Sequence, residues 1–534
     1  MYKLLNVEQV RELERRADAE QGITPQQLMR QAGLALAEAS LDFVREHTSQ
    51  TPREGALQAL SLSVTIFAGP GNNGGDGWAA ALHLTQKGMR VRVLTVIDPN
   101  ELNGIAGEMA FEAIQAGVLY TLLSDAVTTE EIHEMLAGSD VLIDALLGIG
   151  AHLPLSERMA TITDALNESV LPVIAADVPT GVDAETGAVD EHAVVADRTI
   201  TFLAAKRGLA LAPAFAHTGA VAVAPLEVDE AAQFDFLHVP ELYTNEELAR
   251  QIPLPTLDAN KYSRGRVLII AGSRQYPGAA VLAARGATRC GAGYVTLACP
   301  ESIVQTMQTH LVTVPVVGVP ETREGSMSDR ALPMLLELAV MADSILIGPG
   351  LDRTPKTSQL VRDFVAQVTD KTIVIDADAL NAFVGKTSQL TRNEGSLILT
   401  PHAGEMARLL EEDSKEVAAC PLDWAQKLAG DKRTVVLKGP VTVIACAQVQ
   451  SVDMFGPSVL ATAGTGDVLA GMITAFAAQG VDPYRAACLA VRLHGQAAIA
   501  AYEVLTPLCV TSEDVAQFIP AGTRALMTDN GGEN

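Results

Sequence analysis

The stretch SVTIFAGPGNNGGDGWAAALHLTQKG, Ser63 to Gly88, decides the fold of the first half of the chain. SVTIFAG, Ser63 to Gly69, is a short β-branched run without polar alternation, the pattern of a strand buried on both faces of a parallel sheet. WAAALHLTQKG reads as the helix that follows. Between them GPGNNGGDG, Gly69 to Gly77, is expected to be a loop at a helix N-terminus. Its glycines would permit backbone shapes closed to other residues, and its amides would be free for a phosphate.

Working outward, VRVLTVI (Val91 to Ile97), DVLIDALLG (Asp140 to Gly148) and LPVIAADVP (Leu171 to Pro179) repeat the strand pattern between alanine-rich helical stretches. A second series opens at RVLIIAGS, Arg266 to Ser273, and runs through YVTLACP, SILIGPG, TIVIDADAL, SLILTPH and RTVVLKG. At 534 residues the chain is too long for one core. The expected class is α/β, with two three-layer domains built on mainly parallel sheets. The acid- and proline-containing segment Val228 to Gly265 is the boundary candidate, so domains are expected over 1–235 and 236–534.

Hydrophobic residues make up 48% of the chain against 19% charged, enough for two cores. A net charge of −26 argues against nucleic acid and anionic membrane surfaces as partners. Cys290, Cys299, Cys420, Cys446, Cys488 and Cys509 form no CxxC pair, which fits thiols in a reducing compartment. The N-terminal MYKLLNVEQVRELERRADAEQG reads as a folded amphipathic helix, neither signal nor transit peptide, and no apolar run reaches membrane-spanning length. A cytoplasmic homo-oligomer is expected.

Three strand ends of the first half carry polar groups: the NNGGDG loop, Asp144 in LIDALLGIG and Asp177 in AADVPTG. In an open parallel sheet such ends converge on the ligand. Each alone would be explained as a turn or a helix cap. Asn73, Asp144 and Thr180 offer oxygens that suit a hard cation. In the second half, TAGTGDVLAG, Thr462 to Gly471, leads into an apolar helix. Amides from Ala463 to Asp467 could stabilise a transferring phosphoryl group, and Asp467 could take a proton from a substrate hydroxyl. Lys438 and Gly439 in LKGPVTV end a strand, as do Gly348 and Gly350 in SILIGPGL and Asp376 and Asp378 in VIDADALN. TPHAGE places His402 at the start of a helix behind Thr400 and Pro401, a helix cap followed by a proline at the first helical position.

NNGGDG, DALLGIG and AADVPTGVD, with EQVRELERRA and LMRQAG, resemble the YjeF N-terminal family, the NAD(P)HX epimerases, over roughly Leu5 to Val228. The resemblance implies a Rossmann-like domain that interconverts the R and S epimers of hydrated NADH and NADPH. It implies that Asn72, Asn73, Gly74, Gly75, Asp76, the segment Gly148, Ile149, Gly150, Ala151, His152, Leu153, Pro154, and Asp177 hold the hydrate. Asn73, Asp144 and Thr180 would bind potassium; Thr180 stands where the family often has serine, and the hydroxyl remains. Asp177 is the expected proton-transfer group.

KYSRGRVLIIAGS, YPGAAVLAARGATRCGAGYVTL, IGPGL, DADALN, TPHAGE, LKGPVTVI and GTGDVLAG, in that order, resemble the C-terminal YjeF family from about Lys261 onward. These are the ADP- or ATP-dependent NAD(P)HX dehydratases of the ribokinase-like superfamily. The resemblance implies phosphorylation of the hydrate's hydroxyl and loss of phosphate, with Asp467 as base. Lys438, Gly439, Pro440, Val441, Thr442 and Gly466 would hold ADP or ATP with Mg2+, and Ala280, Gly350 and His402 would meet the hydrate. TPHAGE has alanine where proline is common and AGS replaces GGS, neither removing a reactive group. The absence of a targeting extension favours ADP. Two alternatives remain at this point: a kinase for a vitamin-like alcohol, since GTGD is shared across that superfamily, and a non-catalytic first domain like the scaffold of RNA-decapping proteins.

Overall fold

The computed structural model describes residues 1–48, 62–229, 236, 238–391 and 393–528. The chain divides into two compact units, Tyr2–Pro240 and Glu241–Glu533.

The first unit contains β1 (Tyr2–Leu5), β2 (Ser63–Ala68), β3 (Arg90–Thr95), β4 (Leu119–Leu122), β5 (Val141–Ala145), β6 (Val173–Ala176), β7 (Arg198–Phe202), β8 (Ala205–Lys206) and β9 (Ala220–Ala224). Seven form a parallel sheet in the order β4-β3-β2-β5-β6-β7-β9, and β1 pairs with β8. The chain runs outward from β2 to β4, then returns to β5 on the other side of β2. That reversal opens a crevice at the carboxyl ends of β2 and β5, where ligands bind in doubly wound sheets. The β-branched runs are buried because both sheet faces are covered: every residue of β5 and β6 is buried.

The helix Asn72–Gln86 is buried nearly all round, from Asn73 to Leu82 without a break. NNGGDG is therefore the first turns of this helix and not a loop, which corrects the sequence expectation. Nor do these glycines use left-handed backbone: none between Gly69 and Gly77 has a positive φ. They are needed for close approach. A Cβ on Gly69 would lie 1.7 Å from the Leu146 carbonyl oxygen, and one on Gly74 would lie 2.0 Å from the Gly69 oxygen. Gly74→Ala is expected to lower the stability of the first unit by about 1–3 kcal/mol through overpacking, read as a lower Tm.

The second unit carries β10 (Glu241–Leu242), β11 (Arg266–Ile270), β12 (Tyr294–Pro300), β13 (Val316–Val319), β14 (Ser344–Ile347), β15 (Thr372–Ile375), β16 (Ser396–Leu399), β17 (Arg433–Leu437), β18 (Thr442–Ala445) and β19 (Gln450–Asp453). Within the unit their order is β13-β12-β11-β14-β15-β16-β17-β18-β19-β10, parallel except across β17-β18 and β18-β19. The reversal falls between β11 and β14. The helix Thr465–Ala478 is apolar on nearly every face and packs against the helix Pro277–Arg289. Glycine sets that crossing: a Cβ on Gly471 would come within 2.1 Å of the Ala283 oxygen. The fold class is α/β with mainly parallel sheets. Among the described residues no helix is long and apolar enough to cross a membrane.

Two candidate active sites

At the crevice of the first unit lies a cavity of about 590 Å3. Asn72, Asn73 and Asp76 from the central helix line it, with Gly148, Ile149, Gly150 and Ala151 from beyond β5 and Asp177 from beyond β6. Gly74 and Gly75 are buried within the helix, and His152, Leu153 and Pro154 continue the segment outside the cavity lining. Glu14 and Lys206 also line it.

Asp177 has a left-handed backbone, φ 63°, a strained conformation for a residue with a side chain. Its Oδ1 accepts from the Phe202 amide at 3.0 Å, from Thr201 Oγ1 at 3.3 Å and from Lys206 Nζ. Asp76 faces the same cavity. Burial first, then the nearby Asp177 and Glu14 carboxylates, push the Asp76 pKa well above the ordinary carboxylate range, against the pull of Lys206. Glu14 is also raised, by burial and by Asp177, against the pull of Lys206 and Arg11.

Asp144 and Thr180 are fully buried and joined to one another. Thr180 donates to Asp144 through its amide at 2.8 Å and its hydroxyl at 2.7 Å, and the Leu146 amide adds a contact at 3.2 Å. Burial raises the Asp144 pKa to about 6 against those bonds. Asn73 is buried with no hydrogen-bond partner for either amide atom among the described residues, and its Cγ would lie 3.2 Å from a Cβ on Gly148. A buried amide without a protein partner is a polar group that an added ligand would satisfy.

In the second unit Asp376, Thr400 and Lys438, just past the ends of β15, β16 and β17, are joined by hydrogen bonds, and Lys438 lies at the start of the helix Thr465–Ala478. Gly464, in the left-handed region at φ 92°, turns the chain into that helix and places Asp467 in its first turn. Burial first, then the carboxylates of Asp376, Asp378 and Glu405, raise the Asp467 pKa to about 7, against the pull of Lys438. Lys438 Nζ bonds Asp376 Oδ1 at 3.0 Å, and the same oxygen accepts from Thr400 Oγ1 at 2.6 Å. A Cβ on Gly466 would stand 3.3 Å from Lys438 Nζ, which puts the ammonium at the helix start. Burial lowers the Lys438 pKa, but Asp376, Glu405 and Asp467 more than offset it, and the group stays charged. Gly439, Pro440, Val441 and Thr442 lead from Lys438 into β18. His402 caps the helix Ala403–Leu410, its Nδ1 accepting from the Gly404 amide at 3.0 Å. Pro401 precedes that cap and is not the first helical residue, because the imidazole itself occupies the cap position.

A family model described as NAD(P)H-hydrate dehydratase matches residues 267–521, and one described as YjeF-related protein N-terminus matches 25–208. A bifunctional NAD(P)H-hydrate repair enzyme of Thermofilum pendens is 34% identical over 531 residues, spanning 99% of this chain and 97% of its own. The chain belongs to the bifunctional NAD(P)H-hydrate repair enzyme family. Its Salinibacter ruber counterpart is 37% identical over 480 residues, 86% of each chain. Among solved structures, an ADP/ATP-dependent NAD(P)H-hydrate dehydratase of Bacillus subtilis is 28% identical with a TM-score of 0.46, covering 54% of this chain and 99% of its own.

Ala280 has no exposed surface and packs in the core of the second unit. Gly350 is half-buried, with φ 64°. The sequence reading missed Lys206 and Glu14; the only signal was one lysine inside the otherwise apolar TITFLAAK. It also missed His494, buried, with Nε2 unpartnered among the described residues and its pKa lowered to about 4 by burial.

Proposed function

We propose that the chain repairs hydrated nicotinamide nucleotides: residues 1–235 interconvert the R and S epimers of NADHX and NADPHX, and residues 236–534 dehydrate the S epimer using ADP or ATP. The observation that carries this reading is the pair of acids, Asp177 buried on a cavity wall and Asp467 half-buried at a helix start beside Lys438, in a chain related over its full length to repair enzymes.

In the hydrate, the hydroxyl-bearing carbon is also bonded to the ring nitrogen. Asp177 accepts the hydroxyl proton while that carbon–nitrogen bond breaks, leaving an aldehyde. Asp76, whose burial favours the protonated form, supplies a proton to the nitrogen. Rotation and reversal return both protons, and the ring closes with the hydroxyl on either face. Asn72 to Asp76, Gly148 to Pro154 and Asp177 hold the dinucleotide.

Asn73, Asp144 and Thr180 fit potassium, because the buried amide lacks a partner and the carboxylate is fully enclosed. When bound, the ion would supply fixed positive charge next to the hydrate. Asp144 and Thr180 hold each other through two hydrogen bonds and keep the donor set in place. Potassium is expected to raise Tm relative to lithium in the wild type, and Asp144→Asn to abolish the difference; epimer exchange should slow several-fold in lithium.

In the second site Asp467 removes the hydroxyl proton, and the oxygen attacks the terminal phosphoryl group of the nucleotide, breaking its bond to the bridging oxygen and releasing AMP from ADP or ADP from ATP. The amides from Ala463 to Asp467 and Lys438 stabilise charge on that group. Phosphate then leaves with a proton from the neighbouring carbon, restoring the ring double bond. The Lys438 to Thr442 segment and Gly466 hold the nucleotide, and Gly350 and His402 meet the hydrate. Among the described residues no cluster of three His, Cys, Asp or Glu could hold a metal, so Mg2+ is expected to enter on the nucleotide phosphates.

The test adds mixed R- and S-hydrated NADH, Mg2+ and ADP to the whole protein. Recovery of reduced-nicotinamide absorbance from the entire pool is expected. Recovery of the S share alone would leave the first domain a binding scaffold, and no recovery would overturn the reading.

A further inference from the structure

Lys206 ends β8 with no exposed surface and is among the largest fully buried side chains. A buried ammonium is costly unless paired and hydrogen-bonded. Its Nζ donates to Asp177 Oδ1 and to the Phe202 carbonyl at 2.7 Å. Three donors therefore converge on one carboxylate oxygen: the Lys206 ammonium, the Phe202 amide and the Thr201 hydroxyl. All three come from the short segment that closes β7 and opens β8. No hydrogen bond engages Asp177 Oδ2 among the described residues.

We infer that Lys206 is the positioning residue of the first site, fixing Asp177 by Oδ1 so that Oδ2 is presented to the hydrate. Three observations support this. First, Asp177 holds a left-handed backbone, a conformation that persists only where the surroundings over-determine it. The amide of Asp177 is fixed on the Ile200 carbonyl at 2.8 Å, and its carboxylate is fixed by the Lys206 segment. Second, a purely structural ion pair would be sealed in the core, whereas Asp177 and Lys206 both line the cavity of about 590 Å3. Third, Glu14, Asp76 and Asp177 all reach this wall, and Lys206 acts on each of them. Pairing with Asp177 is what singles out one carboxylate of the three.

The inference rests on Asp177 being the proton acceptor, so the experiment keeps the two apart. Epimer exchange of purified R-hydrated NADH is followed by chromatography in the full chain. Lys206→Met is expected to lower kcat about 10²-fold with KM little changed, the cost of a misplaced reacting group. Lys206→Ala should regain part of that kcat when methylammonium is added, and no comparable gain should follow a neutral molecule of the same size. Thr201→Val removes a different donor to Oδ1 without altering charge, and should give a smaller loss in kcat. Wild-type kcat in Lys206→Met, or a loss confined to KM with no rescue by the amine, would overturn the inference. Asp177→Asn, run alongside, reports on the underlying reading: if it retains exchange, Asp177 is not the acceptor and Lys206 positions nothing. If it loses exchange while both Lys206 variants keep it, only the positioning role falls.

Discussion

Asp467→Asn is expected to lower the dehydratase kcat by ~10²–10⁴-fold while epimer exchange continues at the wild-type rate. A base must be unprotonated to act, and Asp467 has its pKa raised to about 7 by burial and by the carboxylates of Asp376, Asp378 and Glu405. Dehydratase kcat/KM in the wild type should therefore fall as pH drops through about 7. The same displacement has a stability counterpart. With the pKa at about 7 in the fold against an ordinary value of 3.8, the folded state binds the proton more tightly than the unfolded chain between those values. Stability then decreases as pH rises through that window. Asparagine carries no charge to bury, so Asp467→Asn should melt higher than the wild type above about pH 7 and lose this advantage below the ordinary carboxylate range. A variant that loses activity while gaining stability identifies a residue kept for chemistry.

The two sites differ in how openly the sequence declared them. Strand ends were legible, because a fully buried strand must be an apolar run and a polar residue at its end stands out. Asp144, Asp177 and Asp376 were found that way, and the adjacency of β2, β5 and β6 brings the first two to one crevice. The NNGGDG segment was recognised as part of a site but not as helix. Glycine is a poor helix former, and local propensity does not register that a Cβ on Gly69 would strike Leu146, which is distant in sequence. Packing against β5, not freedom of the backbone, selects these glycines.

Pairing over long separations was illegible altogether. Lys206 reaches back to Asp177 and Lys438 to Asp376, pairs brought together by the sheet order, and Arg492 on the helix Pro483–Leu505 reaches Asp453 through packing of that helix on β19. Spacing along a chain encodes the period of one element; it carries nothing about which loop ends meet. Ala280, a position assigned by resemblance, lies one residue past the half-buried Ala279 and packs in the core, a burial that no spacing in the motif announces.

Asp177→Asn is expected to reduce enzyme-dependent epimer exchange by ~10²–10⁴-fold, with dehydration of pure S epimer unchanged. The substitution keeps the volume and can keep the amide and hydroxyl bonds to Oδ1, but it removes the charge that neutralises the fully buried Lys206. Two effects then separate by measurement. Loss of the proton acceptor lowers kcat, whereas an uncompensated buried ammonium lowers Tm, because one partner of a buried pair has been taken away. The double variant Asp177→Asn with Lys206→Met removes the stranded charge and should recover Tm without recovering exchange. In mixed R and S hydrate with ADP, either variant protein should return the S share quickly and leave the R share to the slow uncatalysed exchange. A biphasic recovery whose second phase matches the enzyme-free rate assigns epimerisation to Asp177; a single phase would show that another group turns the substrate over.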